Sequence, residues 1–181
     1  MDKEIKFKFW LGGIHRMTYP HSLQDIARLG WDLTGIMPLQ YTGFKDHYSC
    51  SIYEGDIIEY REVRIDCLLH DAGEGTANTQ FGQEFEPVID DLSRVVVFSK
   101  GMFCVRDARY QYNGFRCGLD YILKHRDINF IKNSLSDFEG TQENLTQKLI
   151  HSYNLRDEKM LESYVNHVKV IGNVYENPEL L

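Results

Sequence analysis

The sequence predicts a mainly β fold with a helical insert (α+β), built as a strongly bent antiparallel sheet or a small SH3-like barrel. Two observations favour this fold class. Apolar and polar residues alternate in several stretches between residues 4 and 105, which is the period of a half-buried strand. From about Leu119 the apolar residues change to helical spacing, and this pattern continues to residue 165. The 11 Tyr and 10 Phe suit a narrow barrel interior and an interface equally well.

The first predicted strand covers residues 4–10. Its apolar residues alternate with Lys6 and Lys8, so we expect one solvated face. A Gly-Gly pair then turns the chain, and residues 15–19 are predicted to return as the partner strand of a hairpin.

A short helix is predicted next, over residues 23–29. Ser22 precedes Asp25 by three residues, which is the arrangement of a capping box with an acid in the first turn. Gly30 follows as the stop signal.

The sheet resumes at residues 36–41, where Pro38 indicates an edge strand or a bulge because proline cannot donate to a strand ladder. Residues 40–60 are predicted to form two short strands that flank a polar connection. After Gly55-Asp56, residues 57–69 form either one long strand or a hairpin.

Residues 70–93 are rich in Gly, Thr, Asn, Gln and acids, so we expect a long loop. A hairpin follows, with strands at residues 94–98 and 102–105 around a Lys100-Gly101 turn. We expect the first strand and the last to pair and close the barrel.

The helical segment is predicted to hold two or three helices between residues 118 and 167. Thr141 with Asn144, and Asn154 with Asp157, are candidate helix starts. Residues 168–174 return as a strand, and Asn177 is predicted to cap a brief terminal turn that begins at Pro178.

Composition limits the class of protein. A chain of 181 residues suits one domain with an insertion at about residues 118–167. The formal net charge of −7 disfavours nucleic acid as a partner of the whole chain and leaves a local basic face open. The 20 Lys and Arg among 27 acids also disfavour a mimic of DNA. With no leader or apolar span, we expect a cytoplasmic protein.

Candidate catalytic and metal sites are weak in this sequence. The seven His lack HExxH or HxH spacing, and the four Cys lack paired CxxC spacing and suggest reduced thiols. His70-Asp71 is the best adjacent acid–base pair. Glu54 and Asp56 lie two residues apart and suit either a carboxylate pair or, as we favour, a turn that depends on Gly55. Gly-rich residues 73–75 lack the rest of a phosphate loop. We therefore predict no catalytic residue, metal or cofactor.

One cluster mixes basic and aromatic residues, as nucleic-acid sites do. Its candidate contacts are Arg106, Arg109, Tyr110, Tyr112 and Arg116. Solvated strand faces and core aromatics explain the same residues.

Several separated blocks resemble the YopX family of bacteriophage, prophage and mobile-element proteins. They are EIKFKFW, QYTGFKD followed by IYEGDIIEY, RVVVFSKGMFCV and VIGNVYENPELL, whereas residues from about 107 to 166 look like an addition to the family pattern. The residues that carry the family motif are Tyr41, Gly43, Lys45, Asp46, Tyr53, Glu54, Gly55, Asp56, Gly172, Asn173, Tyr175, Asn177 and Pro178. The resemblance implies no established biochemical activity.

The resulting functional hypothesis is a phage- or prophage-derived accessory protein that is not an enzyme. It would act by self-association or by binding a host or phage protein, through exposed strand edges and tyrosines. The alternative is a nucleic-acid-binding module of a mobile element. A third class, a hydrolase that uses Glu54, Asp56 or a histidine, would require a divalent metal. We expect no membrane association.

Overall fold

A computed structural model describes residues 5–19, 21–30, 34–69, 83–106, 117–123, 128–134 and 142–181. Strands make up 48% of the described residues, helices are few, and one of the two sheets is strongly curled into a half-barrel. The predicted mainly β, α+β fold with a strongly bent sheet is therefore confirmed.

The chain divides into two compact units. The first comprises Met1–Tyr60, Ser93–Lys124 and Val168–Leu181, and the second comprises Arg61–Leu92 and His125–His167. A single domain with an insert at about residues 118–167 stays a prediction. The second unit draws on residues 61–92 as well as on the helical segment.

The first sheet has the strand order β2-β1-β4-β5, and β3 also pairs with β1. Its strands are β1 (Lys6–Leu11), β2 (Arg16–Met17), β3 (His21–Ser22), β4 (Ile36–Lys45) and β5 (Ser51–Tyr53). The predicted hairpin between β1 and β2 is confirmed by the pairing of Trp10 with Met17.

Helix α1 (Leu23–Leu29) has the predicted bounds. Ser22 Oγ accepts a hydrogen bond from Asp25 N at 3.1 Å, and Asp25 Oδ2 accepts one from Ser22 N at 3.0 Å, so the capping box is complete. Gly30 ends the helix in the left-handed conformation, with φ of 58°.

Pro38 lies where β4 has a strand partner on one side. Residues 36–40 of β4 pair with β1, whereas the pairing with β5 involves Tyr41 and Lys45. Among the described residues Pro38 therefore has the edge position predicted from its missing N–H.

The second sheet has the order β10-β6-β7-β8-β9. Its strands are β6 (Asp56–Leu69), β7 (Gln83–Ser99), β8 (Met102–Arg106), β9 (Cys117–Gly118) and β10 (Val168–Asn173). The predicted β7–β8 hairpin is confirmed, and positive φ angles at Lys100 (52°) and Gly101 (82°) identify its two-residue turn as type I′.

Two expectations about strands were wrong. The loop predicted for residues 70–93 lies outside the described residues at 70–82, but residues 83–93 belong to β7. Cross-strand ion pairs explain this result: Arg61 Nε contacts Asp91 Oδ1 at 2.9 Å, and Arg64 contacts Asp90. A polar composition is compatible with a strand when such partners are present.

The first strand and the last do not pair among the described residues. β1 pairs with β2, β3 and β4, whereas β10 pairs with β6. The expected closure of a barrel by these two strands was therefore wrong, because β10 finds its backbone partner in β6. A closed SH3-like barrel stays a prediction.

The described residues include four helices in the helical segment, more than the two or three predicted. After β9 come α2 (Leu119–Leu123), α3 (Ile128–Ser134), α4 (Gln142–Ser152) and α5 (Glu158–Val165). The start predicted at Asn154 with Asp157 lies three residues too early, because Asp157 itself is the N-cap of α5 and accepts a hydrogen bond from Met160 N. Thr141 lies outside the described residues. No helix in the described parts is both long and apolar enough to cross a membrane.

The second unit has its own core. Residues from β7, α3, α4 and α5 form it: Ile89, Ile131, Leu145, Leu149, Ile150, Leu161 and Val165. Tyr153 packs beside this core, and its hydroxyl accepts a hydrogen bond from Ile89 N at 2.7 Å and donates one to Ile89 O at 2.9 Å. One side chain thus fixes β7 to the end of α4.

We expect Tyr153→Phe to lower the free energy of unfolding by about 1–3 kcal/mol, because both backbone groups of Ile89 lose a partner. Urea denaturation followed by tyrosine fluorescence and circular dichroism measures the loss. Tyr19→Phe is the matched control, since the side chain of Tyr19 is 82% exposed. Equal effects of the two substitutions would contradict the assigned role of the Tyr153 hydroxyl.

Candidate functional site

The two main blocks of the predicted family motif lie side by side in the first unit. β10 runs antiparallel to β6, with Asn173 opposite Asp56 and Gly172 opposite Ile57. Residues near position 56 therefore meet residues near position 173. We call this meeting point the motif junction and define it by Asp46, Gly55, Asp56, Gly172 and Asn173.

Asp56 is the polar centre of the motif junction. It is buried, with 2% of its surface exposed, and Asn173 is buried beside it. Asp56 Oδ2 accepts a hydrogen bond from Tyr53 N at 2.7 Å, and Oδ1 accepts one from Asn173 Nδ2 at 3.0 Å. Asn173 Oδ1 in turn accepts one from Tyr175 N at 3.1 Å. These bonds satisfy a carboxylate that would otherwise be costly to bury.

Burial dominates the electrostatics of the motif junction. Burial raises the pKa of Asp56 above its ordinary value of 3.8, while the hydrogen bonds from Asn173 and Tyr53 and the charge of Lys8 oppose the rise. Burial likewise raises the pKa values of the Tyr53 and Tyr175 hydroxyls. The protein therefore folds more favourably when the Asp56 carboxyl is protonated.

Gly55 is required by both its conformation and its surroundings. Its φ of +80° is a left-handed value, and an added Cβ would lie 3.2 Å from Tyr175 Cε2 and 3.3 Å from Asn173 Nδ2. Gly55 N donates to Val96 O at 2.8 Å, and Gly55 O accepts from Val174 N at 2.9 Å. The predicted turn that depends on Gly55 is confirmed.

The carboxylates of Glu54 and Asp56 have different partners and do not face a common site. Asp56 is turned inward to Asn173, whereas Glu54 Oε1 accepts a hydrogen bond of 3.4 Å from Phe98 N. The structure therefore does not assemble these residues as the carboxylate pair that acid–base catalysis or a divalent ion would use.

Asp46 organises a tight loop and contacts β10 as well. Its Oδ1 accepts hydrogen bonds from Tyr48 N at 2.9 Å and Cys50 N at 2.8 Å, and its Oδ2 accepts one from Val170 N at 3.0 Å. Next to it, His47 N donates to Val168 O at 2.9 Å. The loop thus occupies part of the outer edge of β10, where an unpaired strand would otherwise recruit another chain.

Gly172 and Asn177 complete the C-terminal block. A Cβ on Gly172 would lie 2.8 Å from both Asn177 Oδ1 and Leu180 Cδ1, so a side chain at this position would displace these two neighbours. The 3₁₀ turn Pro178–Leu180 forms where a terminal turn was predicted. Asn177 makes no side-chain cap, and its Oδ1 accepts from Asn173 N at 3.3 Å instead.

The remaining motif residues shape the sheet. Tyr41 and Tyr53 are cross-strand partners with ring centroids 5.4 Å apart, and Gly43 has a φ of 88° where the β4–β5 register shifts. Lys45 and Pro178 are exposed.

Two residues of β1 also belong to this region, and the sequence prediction missed them. Lys8 Nζ lies 4.5 Å from the centroid of the Tyr53 ring, and the Trp10 ring stacks on Tyr175 at 5.8 Å and 25°. Their spacing of two on a strand was visible in the sequence. Their partners come from distant segments and were not.

The predicted basic and aromatic cluster is described in part. Arg106 ends β8, and its Nε is buried without a hydrogen-bond partner in the described part of the chain. Arg109, Tyr110, Tyr112 and Arg116 lie outside the described residues. His70-Asp71 and Gly-rich residues 73–75 also lie outside them.

Cysteine and metal-ligand chemistry can be assessed for the described residues. Cys50 is exposed, Cys104 is buried, and both are free thiols. Within the same ranges, no group of three or more His, Cys, Asp or Glu side chains is arranged to hold a metal ion.

We expect Asp46→Ala to lower the free energy of unfolding by about 2–4 kcal/mol, because three backbone N–H groups lose a charged acceptor. Chemical denaturation measures this loss, and light scattering tests for aggregation through the uncovered edge of β10. The control is Glu179→Ala, at an exposed acid of the C-terminal turn. An Asp46→Ala protein as stable as this control would contradict the assigned role.

The raised pKa of Asp56 predicts a pH dependence with a defined sign. Its contribution to stability is fully present below the ordinary value of 3.8 and is lost as pH rises through the raised folded-state value. Between pH 3 and pH 7, the wild type should therefore lose stability relative to Asp56→Asn, which has no ionisable group at this position. Urea unfolding of both proteins across this range measures the difference. A wild type that gains stability relative to the variant as pH rises would contradict the assigned direction.

The comparisons with known proteins identify the family. The sequence model of the YopX protein family matches residues 15–125 and 118–181, two ranges that together include the helical segment. A solved structure, protein EF1440 from Enterococcus faecalis, is similar over 98% of this chain and 97% of that chain, with 17% identity and a TM-score of 0.38. No curated protein matches. Because the family match extends from residue 15 to residue 181, the chain belongs to the YopX family.

Proposed function

We propose that this chain is a non-enzymatic accessory protein of a phage or other mobile element, and that it acts by binding protein. The partner is a second copy of the chain or a host or phage protein. Membership of the YopX family supports a phage-type protein. The binding role is supported by two observations: polar motif side chains are hydrogen-bonded inside the first unit, and several apolar side chains are exposed on its surface.

The main support for the proposal is that polar side chains of the family motif form hydrogen bonds within the first unit. Asp46 and Asp56 bind backbone N–H groups, Asn173 joins Asp56 to Tyr175, and Asn177 binds Asn173 N. A catalytic acid, base or ligand must reach its substrate. These four side chains instead hold the first unit together, which favours a framework over an active site.

Exposed apolar side chains supply the complementary observation. In the first unit, Ile14 is 67% exposed, Tyr48 59% and Met37 44%. Large apolar side chains gain from burial in an interface, and aromatic and Met residues are enriched there. Several of them on one small unit support a protein-binding surface.

Strand edges support the proposal less than the sequence suggested. β2 and β3 have two residues each, β5 has three, and the Asp46 loop covers part of β10. Short or covered edges discourage strand addition. The proposed binding therefore uses side-chain surfaces.

One observation favours the alternative of nucleic-acid binding. The acidic charge is uneven: the first unit has 13 Lys and Arg against 12 Asp and Glu, and the second has 7 against 15. The net charge of the whole chain therefore does not describe the first unit, which also contains Arg106.

Light scattering on purified protein, with absorbance at 260 and 280 nm recorded on the same peak, tests the proposal. We expect a mass above the 21.2 kDa of one chain and a protein-only absorbance ratio. A 21.2 kDa species that carries nucleic acid, lost on Arg106→Ala, would overturn the proposal in favour of the alternative. Metal-stimulated hydrolysis of a phosphodiester, abolished by Asp56→Asn, would contradict the non-enzymatic part.

A further inference from the structure

The end of the first sheet carries an apolar patch that the sheet's own core does not cover. Phe9 and Leu39 are each 2% exposed, but the residues that follow Phe9 in β1 and precede Leu39 in β4 are not buried. We call this surface the rim patch. It consists of Trp10, Leu11, Ile14, Met17, Ile36 and Met37.

The strand register places these side chains together. Trp10 lies opposite Met17 on one side and Met37 on the other, and Leu11 lies opposite Ile36. Cross-strand partners share a face and touch, so Met17, Trp10 and Met37 form a row on one face. Leu11 and Ile36 lie on the opposite face, and the exposed Ile14 lies in the turn between β1 and β2 at the same end of the sheet. The patch therefore wraps around the end of the sheet.

The chemistry of the rim patch suits protein recognition. Trp is the residue most enriched among binding hot spots, and Met adapts its shape to a partner. The stack on Tyr175 holds the Trp10 ring in place before a partner binds. A fixed aromatic anchor loses little conformational freedom on binding.

A basic residue borders the rim patch. Arg16 is exposed and lies opposite Leu11. A partner that fits this surface is apolar and acidic.

The second unit contains such a surface. Val63 and Ile89 face the helical core, so the alternate residues of β6 and β7 lie on the other face of these strands. That face carries Glu62, Asp66, Glu86 and Asp90, which we call the acidic strand face. Arg64 contacts two of these acids, Asp66 and Asp90. Val88 and Leu92, both half-buried, share the same face.

We propose that the rim patch of one copy docks on the acidic strand face of a second copy. This inference rests on the proposed function and names the surfaces and the partner. The two surfaces differ, so the contact is head-to-tail and adds further copies as concentration rises. Arg16 lies beside the apolar contact and faces carboxylates, so the association weakens as salt increases.

Charge reversal in both surfaces tests the proposal on the full chain. Sedimentation velocity over a range of concentrations compares the wild type with Arg16→Glu and with the double variant Glu62→Lys/Glu86→Lys. We expect each variant alone to raise the dissociation constant at least about tenfold. An equal mixture of the two should restore association to the wild-type level, because every contact between unlike copies is then complementary.

A second pair of variants separates the rim patch from other apolar surfaces. Ile14→Ser/Met37→Ser removes its most exposed side chains and should also raise the dissociation constant. Phe98→Ser/Met102→Ser is the matched control, because these exposed residues lie at the β7–β8 hairpin and should leave association unchanged. Circular dichroism checks that all variants fold.

The outcomes distinguish this inference from the proposed function. A wild type that stays a monomer at all concentrations would overturn both this inference and the self-association in the proposed function. A wild-type oligomer that Arg16→Glu leaves intact, or that the mixture fails to restore, would overturn this inference alone. Loss of the oligomer on Phe98→Ser/Met102→Ser, but not on Ile14→Ser/Met37→Ser, would move the interface to the hairpin and leave the proposed function standing.

Discussion

The hydrogen bond between Asp56 and Asn173 joins two parts of the chain that are 117 residues apart. Asp56 also holds Tyr53 N at the end of β5, while Asn173 holds Tyr175 N and so positions the ring that stacks on Trp10. The contacts among β1, β5, β6 and β10 in the first unit thus share one buried pair. A buried carboxylate tolerates little rearrangement, because each lost partner leaves an uncompensated polar group. The residues around the pair are closely packed, since a Cβ on Gly55 would lie 3.3 Å from Asn173 Nδ2 and one on Gly172 would lie 2.8 Å from Asn177 Oδ1.

The sequence was most informative where one residue and its neighbours decide the structure. The capping box of Ser22 and Asp25 and the Lys100-Gly101 turn both depend on partners within four residues, and both were predicted. The inclusion of Asp90 and Asp91 in β7 was not, because both acids pair with arginines of another strand. The same holds for Asn177, whose position before the terminal turn predicted a cap while its side chain binds Asn173 N. Sequence patterns identified the motif residues but not their partners, which long-range packing determines.

The family signature and the candidate binding surface separate in this chain. Four polar side chains of the motif form hydrogen bonds within the first unit: Asp46, Asp56, Asn173 and Asn177. The rim patch and the acidic strand face consist of residues outside the motif. Surface residues change at little cost to stability, so this framework does not by itself determine the partner. The uneven distribution of charge between the two units likewise concerns association and not the fold.

The first unit consists of three separate segments of the chain, and this limits the order in which the protein can fold. Asp46 and Asp56 take partners from Val170 and Asn173, so the first unit cannot close before these residues are synthesised. The second unit uses only Arg61–Leu92 and His125–His167, and all of its segments leave the ribosome earlier than β10. Because Val168 pairs with Tyr60, the chain between these two partners contains every residue of the second unit. Contacts that close such a long loop carry an entropic cost and slow folding.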